Sequence, residues 1–117
     1  YEVNPHIPHL PGDCALPVAK ADVIIESDLS LYELQDPPIG EAEKAVAGYA
    51  AEMVHDGDCI QLGFGGIPNA IGFELMNRHD LGIHTDQIGA SMARMIQQGV
   101  VTNRYKNLDK GWLFRYS

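Results

Sequence analysis

The feature that most constrains this chain is a glycine-rich turn between an apolar segment and a helix-compatible one. Cys59 to Leu62 is largely apolar, and Gly63, Gly65 and Gly66 follow directly. Pro68 comes next, and proline suits the first turn of a helix. Glycines lack the Cβ that keeps an anion away from backbone N–H groups, and a helix N-terminus favours negative charge. The pattern predicts a strand, a turn and a helix start that contact a phosphate or an oxyanion.

The segments around this turn alternate between helix-like and strand-like patterns. Residues 41–54 carry apolar side chains at intervals of three and four, which predicts a helix with one face packed on a sheet. The predicted apolar face consists of Ala42, Ala45, Val46, Tyr49, Ala50, Met53 and Val54. A helix over about 68–77, a strand over 83–85 and a helix that carries Ile88 and stops at Gly99 follow.

Strands that alternate with helices predict an α/β fold with a partly parallel sheet flanked by helices. In such sheets, ligands bind beyond the carboxyl ends of the strands. The glycine turn follows the first of these strands, and Asp86 follows the second. We therefore expect the turn and Asp86 to lie at the same edge of the sheet.

The first third of the chain has a different character. It is rich in proline up to Pro17 and then contains the strand candidate Val23 to Ile25. Residues 26–41 are mostly polar or acidic and include the pair Pro37 and Pro38, which favours extended backbone. This stretch reads as a linker, so we place a domain boundary between residues 38 and 39.

Charge and apolar content limit the classes of partner. The 117 residues carry a net charge of −8, which disfavours a nucleic acid or an anionic membrane as the main partner. No apolar run is long enough to cross a bilayer, and a cytoplasmic protein is the default expectation. An anionic ligand would then need local help from backbone amides, with Arg78, Arg94 or Lys106 as candidate cations.

The cysteines and histidines predict no metal centre. Cys14 and Cys59 belong to no CxxC pair, so we expect both to be reduced and Cys59 to be a small core residue. His6 and His9 have a spacing that could hold a metal, but no cysteine or acidic cluster accompanies them. A packed or solvated loop is the better interpretation for both.

Several segments resemble one enzyme family. The run CIQLGFGGIPNAIGFEL at 59–75 is similar to a signature of the acetyl-CoA hydrolase/CoA-transferase family, which includes butyryl-CoA:acetate and 4-hydroxybutyrate CoA-transferases. LGIHTD and GVVTNRYKNLDKG downstream resemble the next family block. VNPHIPHLPGD and IGEAEKAVAGYAAEMVHDGDCIQLG upstream resemble the segments that lead into it.

The resemblance implies a two-domain CoA-transferase fold, formed by a protein that is several times longer than this chain. Residues 1–38 would be the end of its N-terminal domain with the linker, and 39–117 the start of its C-terminal domain. The substrates implied are an acyl-CoA, such as acetyl-CoA, and a small carboxylic acid, with no prosthetic group. The partner would be the rest of the parent chain, and a homo-oligomer is a further possibility. We expect the isolated chain to be inactive.

The resemblance also implies the site. Gly63, Phe64, Gly65, Gly66 and Ile67 match the CoA-binding loop of the family, whose amides also suit oxyanion stabilisation. The family normally has a glutamate at the position of Asp86, and its carboxylate attacks the acyl-CoA. The resulting anhydride yields an enzyme-bound CoA thioester, which passes CoA to the second acid.

Alternatives stay open for the two parts of the site. Asp86 is one methylene shorter than glutamate and could act as a general base in acyl-CoA hydrolysis. From the residues alone, Asp86 as N-cap of the helix carrying Ile88 is the simpler interpretation. The glycine turn could be a packing turn, or part of a nucleotide-binding module with Asp86 on a ribose hydroxyl, although Pro68 departs from GxGxxG. A non-catalytic scaffold is the last alternative.

Overall fold

A computed structural model describes residues 1–9, 15–108, 110 and 111 of the chain. The chain divides into two compact units, residues 1–35 and 36–117. The assignment of residues 1–38 and 39–117 to two enzyme domains stays a prediction. In the described part of the chain, no helix combines the length and apolar character needed to cross a bilayer.

The first unit contains a small parallel pair of strands. Strand β1 is Glu2–Val3 and strand β2 is Ile25–Glu26, with Glu2 opposite Ile25. The backbone amide of Ser27 donates to the carbonyl of Val3 at 3.0 Å. A 3₁₀ turn at Val18–Lys20 lies between the two strands in the sequence. The predicted strand at 23–25 overlaps β2 at one residue only.

The second unit has the predicted alternation of helices and strands. Its elements are α1 (Glu41–Glu52), β3 (Cys59–Ile60), α2 (Gly66–Glu74), a 3₁₀ turn (Leu75–Asn77), β4 (Gly82–Ile83) and α3 (Ala90–Gln97). Gly99, with a φ of +76°, follows α3, which confirms the predicted stop. The α/β class with a parallel sheet is confirmed, although the strands are shorter than predicted.

Strands β3 and β4 form the centre of the second unit. They pair in parallel, with Cys59 opposite Gly82 and Ile60 opposite Ile83. Val101 adds a single parallel bridge to Leu81, on the other side of β4. Side chains from β4, α3 and the turn after α2 form the buried core under this sheet. Its fully buried large members include Leu75, Leu81, Ile83, Met92 and Met95.

The predicted apolar face of α1 is largely wrong. Val46, Tyr49 and Met53 are 46%, 73% and 72% exposed, whereas Ala47 and Ala51 are buried. Helix α1 packs against α2, and small side chains on the contact face let two helix backbones approach closely. The intervals of three and four identified the helix correctly but assigned its buried stripe to the wrong side.

Helices α2 and α3 are in close contact at Gly72, which predicts a strong effect of substitution. A Cβ at Gly72 would lie 2.7 Å from the Cβ of Ser91, so Gly72→Ala should destabilise the fold by about 1 to 3 kcal/mol through overpacking. Gly48→Ala is the matched control, because no atom lies within 4 Å of a Cβ there. It should stabilise α1 by about 0.5 to 1 kcal/mol. Denaturant unfolding measures both, and equal losses would contradict the packing described.

Candidate active site

The glycine loop and the Asp86 loop leave neighbouring parallel strands at the same edge. The amide of Gly82 donates to Asp58 O at 2.8 Å, and that of His84 donates to Ile60 O at 3.1 Å. Thr85 Oγ1 lies 3.4 Å from Leu62 O, which continues the register that places Ile60 opposite Ile83. The loop at 63–67 and the loop that contains Asp86 therefore both leave the sheet at the carboxyl ends of β3 and β4, as expected.

The glycine loop has a backbone shape that requires glycine. Gly65 has φ +132° and ψ 179° and is the N-cap of α2, which begins at Gly66 rather than near Pro68. This region of backbone space is open essentially to glycine alone. Within the described residues, no side chain caps this helix start. Its first N–H groups therefore keep the capacity to bind an anion. Phe64 and Ile67 are 52% and 43% exposed.

The start of α2 packs closely on the segment that leads into α1. A Cβ at Gly66 would lie 3.4 Å from Glu43 Cγ and 3.4 Å from Pro38 O. The Glu43 carboxylate in turn accepts a hydrogen bond from the amide of Gly40 at 3.0 Å. Gly66 therefore serves the close approach of two backbone segments, which supports the packing interpretation for this glycine.

A buried amide connects the helices behind the two loops. Asn69 is 5% exposed, and its Nδ2 donates to Asp36 Oδ1 at 2.9 Å. Its Oδ1 accepts from the amide and the hydroxyl of Ser91 at 3.3 and 3.1 Å. Sequence reasoning did not identify Asn69. The available signal was an amide among small and apolar residues on a helix, since a buried amide must find partners.

Asp86 is exposed in the turn between β4 and α3. Thr85 Oγ1 donates to Gln87 O at 2.9 Å across this turn. Helix α3 begins at Ala90 with Gly89 as its N-cap, and Ile88 precedes the helix. The interpretation of Asp86 as N-cap is therefore wrong, because the helix starts too late for that carboxylate to reach its first amides.

The three candidate cations have protein contacts of different kinds. Arg78 Nη2 donates to the carbonyl of Ala51, in the last turn of α1, at 3.0 Å. The Arg94 guanidinium stands 5.7 Å from the ring centroid of Phe73. Lys106 is buried, and its Nζ donates to Ile83 O at 2.9 Å, at the carboxyl end of β4. The Lys106 hydrogen bond thus reaches the strand that leads to Asp86.

Relatives with known activities match this segment. No protein-family profile matches the chain. It is 42% identical over 110 residues to a succinyl-CoA:cyclohexane-1-carboxylate CoA transferase of Geobacter metallireducens, covering 94% of this chain and 25% of that protein. It is 38% identical over 110 residues to a 4-hydroxybutyrate coenzyme A transferase of Clostridium kluyveri, covering 94% and 26%. The chain is a homologue of CoA-transferases. It spans about a quarter of the length of these relatives.

A solved structure shows the same segment of fold. RipA of Yersinia pestis superposes with a TM-score of 0.89 at 34% identity, covering 98% of this chain and 27% of RipA. RipA variants with one glutamate replaced by alanine or by aspartate match with 34% and 35% identity. The resemblance found in the sequence is confirmed, and the homology extends to the architecture.

The structure also bears on the predictions for the cysteines and histidines. Cys59 is exposed, so its prediction as a core residue is wrong. It stands on β3, whose strand partner among the described residues is β4, and a Cβ at Gly82 would lie 3.3 Å from its Sγ. The ring of His6 lies 3.0 Å from Asp28 O, His9 is exposed, and Cys14 lies outside the described residues. The described side chains include no group of three that could hold a metal.

The conformation of Gly65 predicts a difference between the loop glycines. Gly65→Ala should destabilise the protein by about 1 to 3 kcal/mol, because alanine must be forced into a φ of +132°. Gly63→Ala should change stability by less than about 0.5 kcal/mol, since a Cβ there would lie 3.9 Å from its nearest neighbour, Pro68 Cγ. Thermal unfolding of both variants checks this. Unchanged stability in Gly65→Ala would contradict the positive φ at Gly65.

Proposed function

We propose that the protein containing this chain is an acyl-CoA:carboxylate CoA-transferase. In this proposal it moves CoA from an acyl-CoA such as acetyl-CoA to a small carboxylic acid, and Asp86 carries CoA in between as a thioester. Residues 63–67 form part of the CoA-binding loop. The homology to CoA-transferases supports the class of reaction.

The observation that carries the proposal is the juxtaposition of a carboxylate loop and an anion-binding loop. Asp86 and the glycine loop leave adjacent parallel strands, and the Thr85 hydroxyl lies 3.4 Å from the last carbonyl before Gly63. A carboxylate nucleophile needs donors for the oxyanion that forms on the thioester carbon. The uncapped start of α2 offers backbone N–H groups on the neighbouring loop.

The chemical steps balance without a prosthetic group. An Asp86 carboxylate oxygen attacks the thioester carbonyl, and the C–S bond breaks to give a mixed anhydride and CoA thiolate. The thiolate attacks the aspartyl carbonyl, releases the first acid and leaves CoA on Asp86. The incoming carboxylate then attacks this thioester, and the same steps in reverse order deliver the new acyl-CoA. No electrons are transferred and no net proton is consumed.

The length of the carboxylate side chain is the unusual part of the proposal. Asp86 reaches one methylene less far than the glutamate expected from the family resemblance. A displacement of about 1 Å can cost on the order of a hundredfold in rate, so the Asp86 loop must sit closer to the substrate.

Trapping of the intermediate tests the proposal. The full-length protein is incubated with acetyl-CoA, treated with borohydride, digested and analysed by mass spectrometry. Borohydride reduces an enzyme thioester to a primary alcohol, so we expect this change at Asp86. Asp86→Asn should abolish the adduct and lower transfer by on the order of a thousandfold or more, because the nucleophile is lost. Asp86→Glu should retain transfer.

Glu74→Gln is the matched control for removal of a carboxylate, because Glu74 is exposed near the end of α2. It should leave the adduct and the transfer rate unchanged. Release of free CoA without an adduct would contradict the transferase proposal and favour hydrolysis with Asp86 as general base. Activity that is present only in Asp86→Glu would mean that this chain has lost the chemistry of its relatives.

A further inference from the structure

Lys106 is a buried lysine at the carboxyl end of β4. It is 4% exposed, and its Nζ donates to Ile83 O at 2.9 Å. Its stem lies against the strand, because a Cβ at Gly82 would be 2.8 Å from Lys106 Cγ. Lysine is rarely buried to this degree, since desolvation of an ammonium group is costly unless partners compensate it. A lysine in this position needs partners for its ammonium group, and Ile83 O is one of them.

Asn103 binds the second backbone polar group of Ile83, on the same side of the strand as Lys106. Its Oδ1 accepts from the amide of Ile83 at 2.8 Å, and Asn103 is 4% exposed. Its φ of +57° is in the left-handed region of backbone space, which asparagine adopts more readily than most residues. Both backbone polar groups of Ile83 that face away from β3 are thus bound by side chains of one short segment, residues 103–106.

The side chains of Asn103 and Lys106 lie beside the end of β4, in the place that a longer strand at Val101 would occupy. Leu81 is bridged to Val101, and its carbonyl accepts from the amides of Thr102 and Asn103 at 3.0 and 3.1 Å. Two residues further along β4, backbone pairing ends and the side chains of Asn103 and Lys106 replace it. They hold the last residue of β4 before the His84 to Gln87 turn.

We propose that Asn103 and Lys106 are positioning residues that fix the height and direction of the Asp86 loop relative to the glycine loop. This inference rests on the proposed role of Asp86. Neither side chain needs to touch the substrate. The ammonium group holds Ile83 O and the amide oxygen holds Ile83 N, so the strand end cannot rotate or shift away from β3. A nucleophile that is one methylene short has little tolerance for such a shift.

Lys106→Met keeps most of the stem and removes the ammonium group. In the full-length protein we expect transfer kcat to fall by about 10- to 100-fold, with the KM for acyl-CoA changed less than about threefold. Lys106→Arg should restore part of kcat, because a guanidinium can donate to the same carbonyl. Asn103→Gly keeps the positive φ but loses the acceptor for Ile83 N, and it should reproduce the kcat defect.

Arg104→Met is the matched control. Arg104 belongs to the same segment and also carries one positive charge, but its Nε lies 3.3 Å from Asp80 Oδ1 and it is exposed. It should leave kcat within about twofold of the unmodified protein. Equal kcat in Lys106→Met and Arg104→Met would overturn the proposal. So would a KM effect without a kcat effect, which would mean that Lys106 serves ligand binding.

Hydrogen exchange separates this inference from the proposed function. In Lys106→Met and Asn103→Gly, the amides of residues 84–87 should exchange at least about tenfold faster, while those of α1 stay unchanged. Arg104→Met should show no such change. Faster exchange in a protein without transferase activity would overturn the proposed function but support the positioning role of Asn103 and Lys106. Unchanged exchange in both variants, or a uniform increase over the whole chain, would overturn that positioning role.

Discussion

The parallel pairing of β3 with β4 is the constraint on which the rest of the site depends. Parallel strands start and end at common edges, so the loops after both strands emerge together. The register that places Ile60 opposite Ile83 continues to the contact of Leu62 with Thr85. The loops after β3 and β4 therefore share one side of the sheet, although they are distant in the sequence.

Buried polar side chains hold this edge in place where regular secondary structure ends. Asn69 connects α2 to Ser91 at the start of α3, and the segment 103–106 binds both backbone groups of Ile83. Within the described residues, no buried side-chain nitrogen or oxygen is without a hydrogen-bond partner. A satisfied buried network is rigid, because loss of either partner leaves the other desolvated.

Much of the second unit was predictable because its signals are local. The intervals of apolar residues located α1, and the glycines located the turn after β3 and the stop after α3. The buried face of α1 was not predictable in the same way. Ala47 and Ala51 are buried because small side chains suit contact with α2, while Val46, Tyr49 and Met53 remain exposed. Hydrophobicity alone ranks those residues in the opposite order.

The sequence by itself determined the kind of elements, the glycine-rich loop and the resemblance to CoA-transferases, because spacing, glycine content and motif letters are all local properties. Only the tertiary structure decided that Asp86 is no helix cap, that Cys59 is exposed and that Lys106 is buried against the end of β4. Those outcomes depend on which distant segments meet. The pairing energy of strands and the cost of burying unpaired polar groups are properties of the assembled fold, and no window along the chain contains them.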